Sequence, residues 1–510
     1  MTPLPTPATP APKPLRPTST PPVALAELAE LLGLPAPARA AVSGAALWAQ
    51  QVQPGDLFAA LPSLGAGRPH GADFAVDALA GGAAAVLTDP EGASRPALAA
   101  AAVPVLVHPD PRAALGPVSA RIYGDPSDRL AVLGITGTSG KTTVTYLLEE
   151  GLRAAGAATG LLGTVETRIG TQRLPSAFTT PEAPDLQALL AVMAERGVTH
   201  LPMEVSSHAL SLGRVGGTGF AVGAFSNLSQ DHLDFHPGMA DYFAAKALLF
   251  DGRAAREVVC IDDEWGRRLA APGRITVSLH GPADWHAASI EAAPAGSQAF
   301  RVLGPDGFDH VMSIRLPGAF NVTNALLAMA CGHAAGADPR LLLRGIGRAE
   351  VPGRMQRVDR GQDFLAVVDY AHKPAAVAAL LDAVRGQVAG RVIVVLGCGG
   401  DRDTAKRPVM GAEAARRADL LIVTDDNPRS EDPAAIRAAM LCGARRYPNA
   451  QLREIGDRAE AIGAAVAAAR AGDAVVVAGK GHETGQQVGG VTHPFSDAAV
   501  LADLLDEVRG

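Results

Sequence analysis

With 510 residues, 48% of them hydrophobic and 19% charged, the chain exceeds one ordinary core, and the usual roughly 100–200 residues per domain points to three domains of an α/β protein. A formal net charge of −7 with no outstanding basic face excludes broad nucleic-acid affinity, so an anionic substrate has to be met by local basic residues. Cys260, Cys331, Cys398 and Cys442 form no Cys-x-x-Cys pair and no cysteine/histidine cluster, which excludes a disulfide framework or structural zinc and fits a reducing cytoplasm.

Residues 1–22 are rich in Pro and Thr and lack the apolar run of a signal peptide, so they read as a disordered tail on a soluble protein; no later stretch resembles a membrane span. A small α/β domain is expected over 23–125: a helix over 23–32, a strand entered at Gly55-Asp-Leu-Phe58, a helix over 74–80 and a strand over 84–87. The segment Gly124-Asp-Pro-Ser-Asp128 is a turn-rich boundary. A strand over 130–135, a glycine turn and a helix over 141–155 then open a parallel sheet, continued by strands at 201–205 and 220–225 and a helix over 240–250. This central domain is expected over 126–350. Val351-Pro-Gly-Arg354 reads as a linker into a third domain, 351–510. There, apolar strands at 364–368, 391–396, 420–423 and 474–478 alternate with helices, one over 461–471. That alternation predicts a doubly wound sheet whose ligands gather at the carboxyl ends of the strands.

Gly137-Thr-Ser-Gly-Lys-Thr-Thr143 follows a strand and opens a helix, so backbone N–H groups and the helix N-terminus can cradle phosphates. Lys141 supplies charge for the β/γ-phosphates and Thr142 a hydroxyl for magnesium. The strict Walker pattern asks for a glycine where Ile135 stands, so the loop is a shorter variant. A phosphate loop alone does not separate a motor, a kinase and a ligase. The other motifs decide: Met203-Glu-Val-Ser-Ser-His208, Asn227-Leu-Ser-Gln-Asp-His-Leu-Asp234, Gly318-Ala-Phe-Asn-Val-Thr-Asn324, Gly353-Arg354, Asp369-Tyr-Ala-His372, Gly399-Gly-Asp-Arg402, Asp426-Asn-Pro-Arg429 and Gly479-Lys-Gly-His-Glu483. In this order, from Gly55 to the C-terminus, the set closely resembles the Mur ligase family.

The resemblance implies a three-domain architecture with a central P-loop ATPase-like domain and a doubly wound C-terminal domain. It also implies an ATP-dependent acid–amino-acid ligase of peptidoglycan biosynthesis, a cytoplasmic monomer working on small molecules. ATP phosphorylates a carboxylate and an amine then attacks the acyl phosphate. Carried over position by position, Gly137, Thr138, Ser139, Gly140, Lys141, Thr142, Thr143, Asn321, Arg354, Asp369 and His372 bind ATP. Thr142, Glu204, His232 and Lys246 surround Mg2+, with Lys246 carried as a carbamate and therefore inverted in charge. Lys141, Glu204, His208 and Lys246 are the catalytic set. Thr179, Thr180, Ser206 and Arg214 match positions that hold the UDP-MurNAc-dipeptide. Arg402, Asp426, Asn427, Arg429, Gly479 and Glu483 match those that hold the incoming diamino acid. Arginines for carboxylates and acids for ammonium groups suit meso-diaminopimelate, with L-ornithine or L-lysine as alternative acceptors.

The family's Asp-Ser-Arg before Pro-Gly-Asp-Leu-Phe is replaced by Trp48-Ala-Gln50, so some uridine contacts fall to other groups, such as Ser43 or the backbone. Cys398 reads as a small buried residue. Folylpolyglutamate synthase shares the loop and the lysine but lacks the Asp-Asn-Pro-Arg and Gly-Lys-Gly-His-Glu motifs, and a nucleotide-binding protein that forms no bond would consume ATP without either co-substrate.

Overall fold

A computed structural model describes residues 15–509 apart from 38, 66 and 294–296. Residues 1–14 of the expected tail lie outside the described residues. The next eight correct the expectation. Asp56 is 1% exposed and needs a counter-charge, which Arg16 supplies at 2.5 and 2.8 Å while also donating to the Ala45 carbonyl. The Thr18 amide donates to Glu195 at 3.1 Å.

The chain divides into two units, one of residues up to Lys141 with Ala155–Ile275 and Cys331–Ala337, the other of Thr142–Ala154, Thr276–Ala330 and Asp338–Gly510. In the first, strands Gly44–Ala46, Asp56–Ala60, Ala85–Thr88 and Val105–Val107 pair in parallel. Their pleat sends alternate residues to opposite faces. Leu57, Ala59, Ala85 and Leu87 pack with Leu25, Leu28, Leu115 and Val118 of two helices, while Phe58, Ala60 and Val86 pack with Ala72, Ala75 and Ala78. Both faces are thus covered, which is why these strands read as unbroken apolar runs.

The same unit holds a second parallel set. Ala131–Thr136 lies between His200–Glu204 and Phe220–Phe225, and Phe220–Phe225 pairs onward with Ala254–Cys260. At the other edge Gly160–Leu162 begins an antiparallel meander through Glu166–Ile169 and Gln172–Pro175. The strand-to-helix turn at Gly137 and Gly140 uses φ of 145° and 89°, values that favour glycine. At Gly137 a Cβ would also come within 1.9 Å of Ser226 Oγ, so the loop closes on the end of the neighbouring strand.

In the second unit Trp285–Ala293, Ser297–Leu303 and Asp309–Ile314 form an antiparallel meander. The C-terminal sheet runs Gln356–Arg357, Leu365–Asp369, Ala474–Ala478, Val392–Leu396, Leu420–Val423, Gln451–Glu454, all parallel after the first pair. Ala366, Val368, Ile393, Val395, Val475 and Val477 pack with helices Arg458–Ala468 and Asp497–Arg509. The alternating partners Val367, Val394, Leu421 and Val476 are buried as well. The sheet is therefore doubly wound. The expected helix over 461–471 instead spans Arg458–Ala468, because Asp457 caps it by accepting from the Glu460 amide and Ala469 turns extended.

Candidate active site

Strands that end side by side bring the first group of residues together. In register, Glu204 pairs with Ile135 and Phe225 with Thr136, so Glu204, the phosphate loop and Ser226-Asn227 follow the same carboxyl edge. The loop is tied down by its neighbours. Asn227 Oδ1 accepts from the Ser139 amide at 3.0 Å, the Asn227 carbonyl accepts from the Thr138 amide at 2.9 Å, and Ser226 Oγ donates to the Ser139 carbonyl at 2.7 Å. Thr138 Oγ1 lies 3.2 Å from the hydroxyl of Tyr242, whose own ionisation burial pushes upward. Lys141 folds back over the loop, donating to the Gly137 and Thr138 carbonyls at 2.9 and 3.1 Å.

Lys246 lies on helix Met239–Ala247, only 1% exposed, with Nζ 2.8 Å from the same Gly137 carbonyl and 4.6 Å from the centre of the Tyr242 ring. Sequence position alone did not show that both lysines meet at one carbonyl. Glu204 is equally buried. Its carboxylate accepts from the Thr164 amide at 2.8 Å and from Thr164 Oγ1 at 3.2 Å. Thr164 Oγ1 in turn lies 2.9 Å from Thr179 Oγ1, and Thr180 Oγ1 donates to the Glu204 carbonyl at 2.9 Å. Ser206 caps the following helix, accepting from the Ala209 amide. Arg214 donates to the Thr180 carbonyl at 3.2 Å and pairs with Glu182 at 2.8 Å. Thr179, Thr180, Ser206 and Arg214 therefore form one neighbourhood leading into Glu204.

His208 and His232 also meet, with ring centres 4.8 Å apart, and Phe235 covers His208 at 4.1 Å. Burial holds His208 below the ordinary imidazole range; Asp234 opposes this, and Arg214 and Lys246 reinforce it. His232 takes a left-handed φ of 53° and lies 3.1 Å from Asp231.

In the second unit Thr142 and Thr143 are buried at the start of helix Lys141–Ala154, and Arg354 Nη2 lies 3.4 Å from Thr142 Oγ1. Arg354 stacks its guanidinium 4.3 Å above the Tyr370 ring. Asp369 accepts from the Met355 and Ala371 amides at 2.7 and 2.8 Å, so it locks the linker to the strand. Burial raises Asp369 against the opposing pull of Arg354. His372 packs on Tyr370 and is pushed down to about 3, chiefly by burial. Asn321 donates to the Pro317 carbonyl at 2.8 Å and accepts from Asn324 at 3.1 Å.

The predicted acceptor residues lie on loops following the C-terminal strands. Asn427 Nδ2 donates to Glu483 Oε2 at 2.9 Å. Arg429, at φ 54°, donates to the Gly400 carbonyl at 2.6 Å and to Gln487 Oε1 at 3.2 Å. Gly479 runs at φ 113° against Asp426, where a Cβ would come 2.6 Å from Oδ2. Arg402 stands exposed on its loop. Cys398 is buried beside Met410, with its thiol pushed up to about 12 by burial. Thr164 carries no motif signal, and nothing local marks the parts played by Asn227, Tyr242 and Lys480. Asn227 and Lys480 nevertheless stand inside motifs, Asn227-Leu-Ser-Gln-Asp-His-Leu-Asp234 and Gly479-Lys-Gly-His-Glu483.

Residues 135–332 match the Mur ligase middle domain, and residues 353–481 the glutamate ligase domain of Mur ligases. The chain is 54% identical over 463 residues to the UDP-N-acetylmuramoyl-L-alanyl-D-glutamate--2,6-diaminopimelate ligase of Corynebacterium glutamicum, covering 88% of this chain and 89% of that one. A Streptomyces coelicolor protein of the same name is 52% identical over 510 residues, 98% of this chain and 99% of its own. A solved structure of a ligase so named aligns with TM-score 0.70 and 34% identity, over 96% of this chain and 100% of that one.

Proposed function

The chain belongs to the Mur ligase family, and from that premise we propose that it joins 2,6-diaminopimelate to UDP-N-acetylmuramoyl-L-alanyl-D-glutamate, with ATP as co-substrate, in peptidoglycan biosynthesis. A carboxylate of the dipeptide takes the γ-phosphoryl group of ATP and ADP leaves. An amine of the diamino acid then adds to the acyl phosphate, the tetrahedral intermediate expels phosphate, and an amide remains.

The proposed roles are those that the matching family positions imply. Backbone amides of Gly137 to Gly140 and the Lys141 ammonium meet the phosphates, and Lys141 reaches them by exchanging its carbonyl partners. Arg354, Asp369 and His372 are further contacts for ATP, and Asn321 takes the adenine. Thr179, Thr180, Ser206 and Arg214 hold the nucleotide-sugar peptide, and His208 stands by the reacting carboxylate. Arg402 and Arg429 meet the carboxylates of the acceptor, Asp426 and Glu483 its ammonium groups, with Asn427 and Gly479 shaping the pocket.

Glu204 and Thr142 are hard-oxygen donors of the kind Mg2+ takes, which fits a magnesium ion. Lys246 fits only as a carbamate, since an ammonium offers no lone pair, and His232 completes the proposed set. The ion, when bound, offsets the charge that builds up between phosphate and carboxylate. Domain limits of 23–125, 126–350 and 351–510 belong to the same proposal, as does work as a monomer in the cytoplasm without nucleic-acid or membrane partners. Among the described residues no helix is long and apolar enough to cross a membrane.

The observation that carries the reading is the shared carbonyl of Gly137, to which both the loop lysine Lys141 and the buried Lys246 donate. A phosphate loop needs the first lysine, whereas a simple nucleotide switch has no use for the second. The test is ATP-dependent ligation with the UDP-MurNAc-dipeptide and a panel of diamino acids. Amide product is expected only when all three substrates are present; ATP consumption independent of the other two would overturn the reading.

A further inference from the structure

Strand Ala474–Ala478 ends at Gly479, whose positive φ turns the chain so that Lys480 points inward with no exposed surface. Its Nζ donates to Glu483 Oε2 at 2.9 Å and to Asn427 Oδ1 at 3.0 Å. Asn427 Nδ2 donates to the same Glu483 oxygen at 2.9 Å, and Asn427 Oδ1 also accepts from the Gln487 amide at 2.9 Å. The three side chains thus close a triangle, and the Gln487 amide fixes which way the Asn427 amide faces. Glu483 remains one-third exposed, with Oε1 outside the triangle.

Burying an ammonium is costly, and a well-packed apolar side chain of similar volume often serves stability better than a buried ion pair. A lysine retained here therefore points to what it holds. We propose that Lys480 is a positioning residue for the amino-acid acceptor: it pins one oxygen of Glu483 and keeps the other presented to an acceptor ammonium. The inference rests on the acceptor pocket proposed above and adds a residue to it. Without Lys480 a single neutral hydrogen bond from Asn427 Nδ2 holds that oxygen, so the carboxylate is less firmly set and the acceptor loses a charged hydrogen bond of set direction.

The test is steady-state kinetics of Lys480→Met against each substrate. The KM for diaminopimelate should rise roughly 10- to 100-fold, the scale of one charged hydrogen bond, while kcat at saturating acceptor and the KM values for ATP and the nucleotide-sugar peptide stay within about threefold. Lys480→Met combined with Glu483→Gln should be no worse for acceptor KM than Glu483→Gln alone, because the lysine acts through the glutamate. An unchanged acceptor KM in folded Lys480→Met, an equal loss toward all three substrates, or additive effects in the double variant would each overturn the inference. If Lys480→Met does not fold, Lys480→Gln carries the same test, and failure of both to fold makes the lysine a stability element and overturns it too. Wild-type protein that ligates no diamino acid removes the acceptor pocket itself, whereas normal wild-type ligation with an unmoved KM in the variant removes only the role of Lys480.

Discussion

The phosphate loop and the C-terminal loops both gather charge at the carboxyl ends of parallel strands, yet they hold it differently. Around the loop, Lys141 and Lys246 donate to the backbone carbonyl of Gly137. In the C-terminal sheet, charges are matched with charges: Lys480 with Glu483, Arg407 with Glu431, and Arg458 with Asp497, the last pair wholly buried. A hydrogen bond to a backbone carbonyl is readily exchanged for one to a phosphate oxygen, so Lys141 can move from the loop backbone to a nucleotide. Ion pairs resist such exchange, since each departure leaves a buried charge unpaired. The second region therefore keeps a fixed shape.

Substitutions can break this contrast. The largest effect is expected at Lys246: Lys246→Ala should cut kcat by about 10³-fold with the fold intact, and acetate should restore part of it by occupying the vacated space. Full activity of the variant without bicarbonate would reject the carbamate. Lys141→Ala should cost roughly 10²–10³ in kcat/KM while calorimetry still records binding of the nucleotide-sugar peptide. Loss of that binding with ATP turnover retained would reverse the two assignments.

The fixed-shape region is sharpened by acceptor choice. Lysine and ornithine lack the distal carboxylate, and leaving one arginine unmatched should cost ~2–5 kcal/mol, at least about 30-fold in apparent affinity. Side-by-side turnover of the three acceptors measures this, and a preference for ornithine or lysine would refute the pocket while leaving the ligase standing.

The smallest effect is one of pH. Burial pushes His372 down to about 3 and His482 down to about 4, against an ordinary 6.5. As pH falls below 6.5 the unfolded chain takes up protons that the folded chain refuses. Stability is therefore greatest above 6.5 and declines as pH drops toward about 4. His372→Asn should flatten the melting-temperature profile in that window; an equally steep profile would place the acid sensitivity elsewhere.

Much of this architecture can be read from local pattern. Strands Phe220–Phe225, Leu420–Val423 and Ala474–Ala478 coincide with the expected ones, because parallel strands covered on both faces are short apolar runs. The phosphate loop is legible for a similar reason: strand, glycine turn and helix start are consecutive, so Gly137, Lys141 and Thr142 are set by neighbours in sequence. Motif order then marked which polar residues deserved a role.

Other features depend on residues far apart in the chain. Arg16 finds Asp56 across forty positions, Arg458 finds Asp497 across thirty-nine, and Lys480 reaches Asn427 across fifty-three. No local propensity encodes such pairs, because a charged side chain defaults to water until packing removes the water and requires a partner. Composition and motif order determined the class of chemistry and the elements that bear it. Packing alone decided that Lys141 and Lys246 share one carbonyl, that Arg16 belongs to the folded structure, and that Lys480 turns inward to hold Glu483, since each depends on groups the fold brings together from distant parts of the chain.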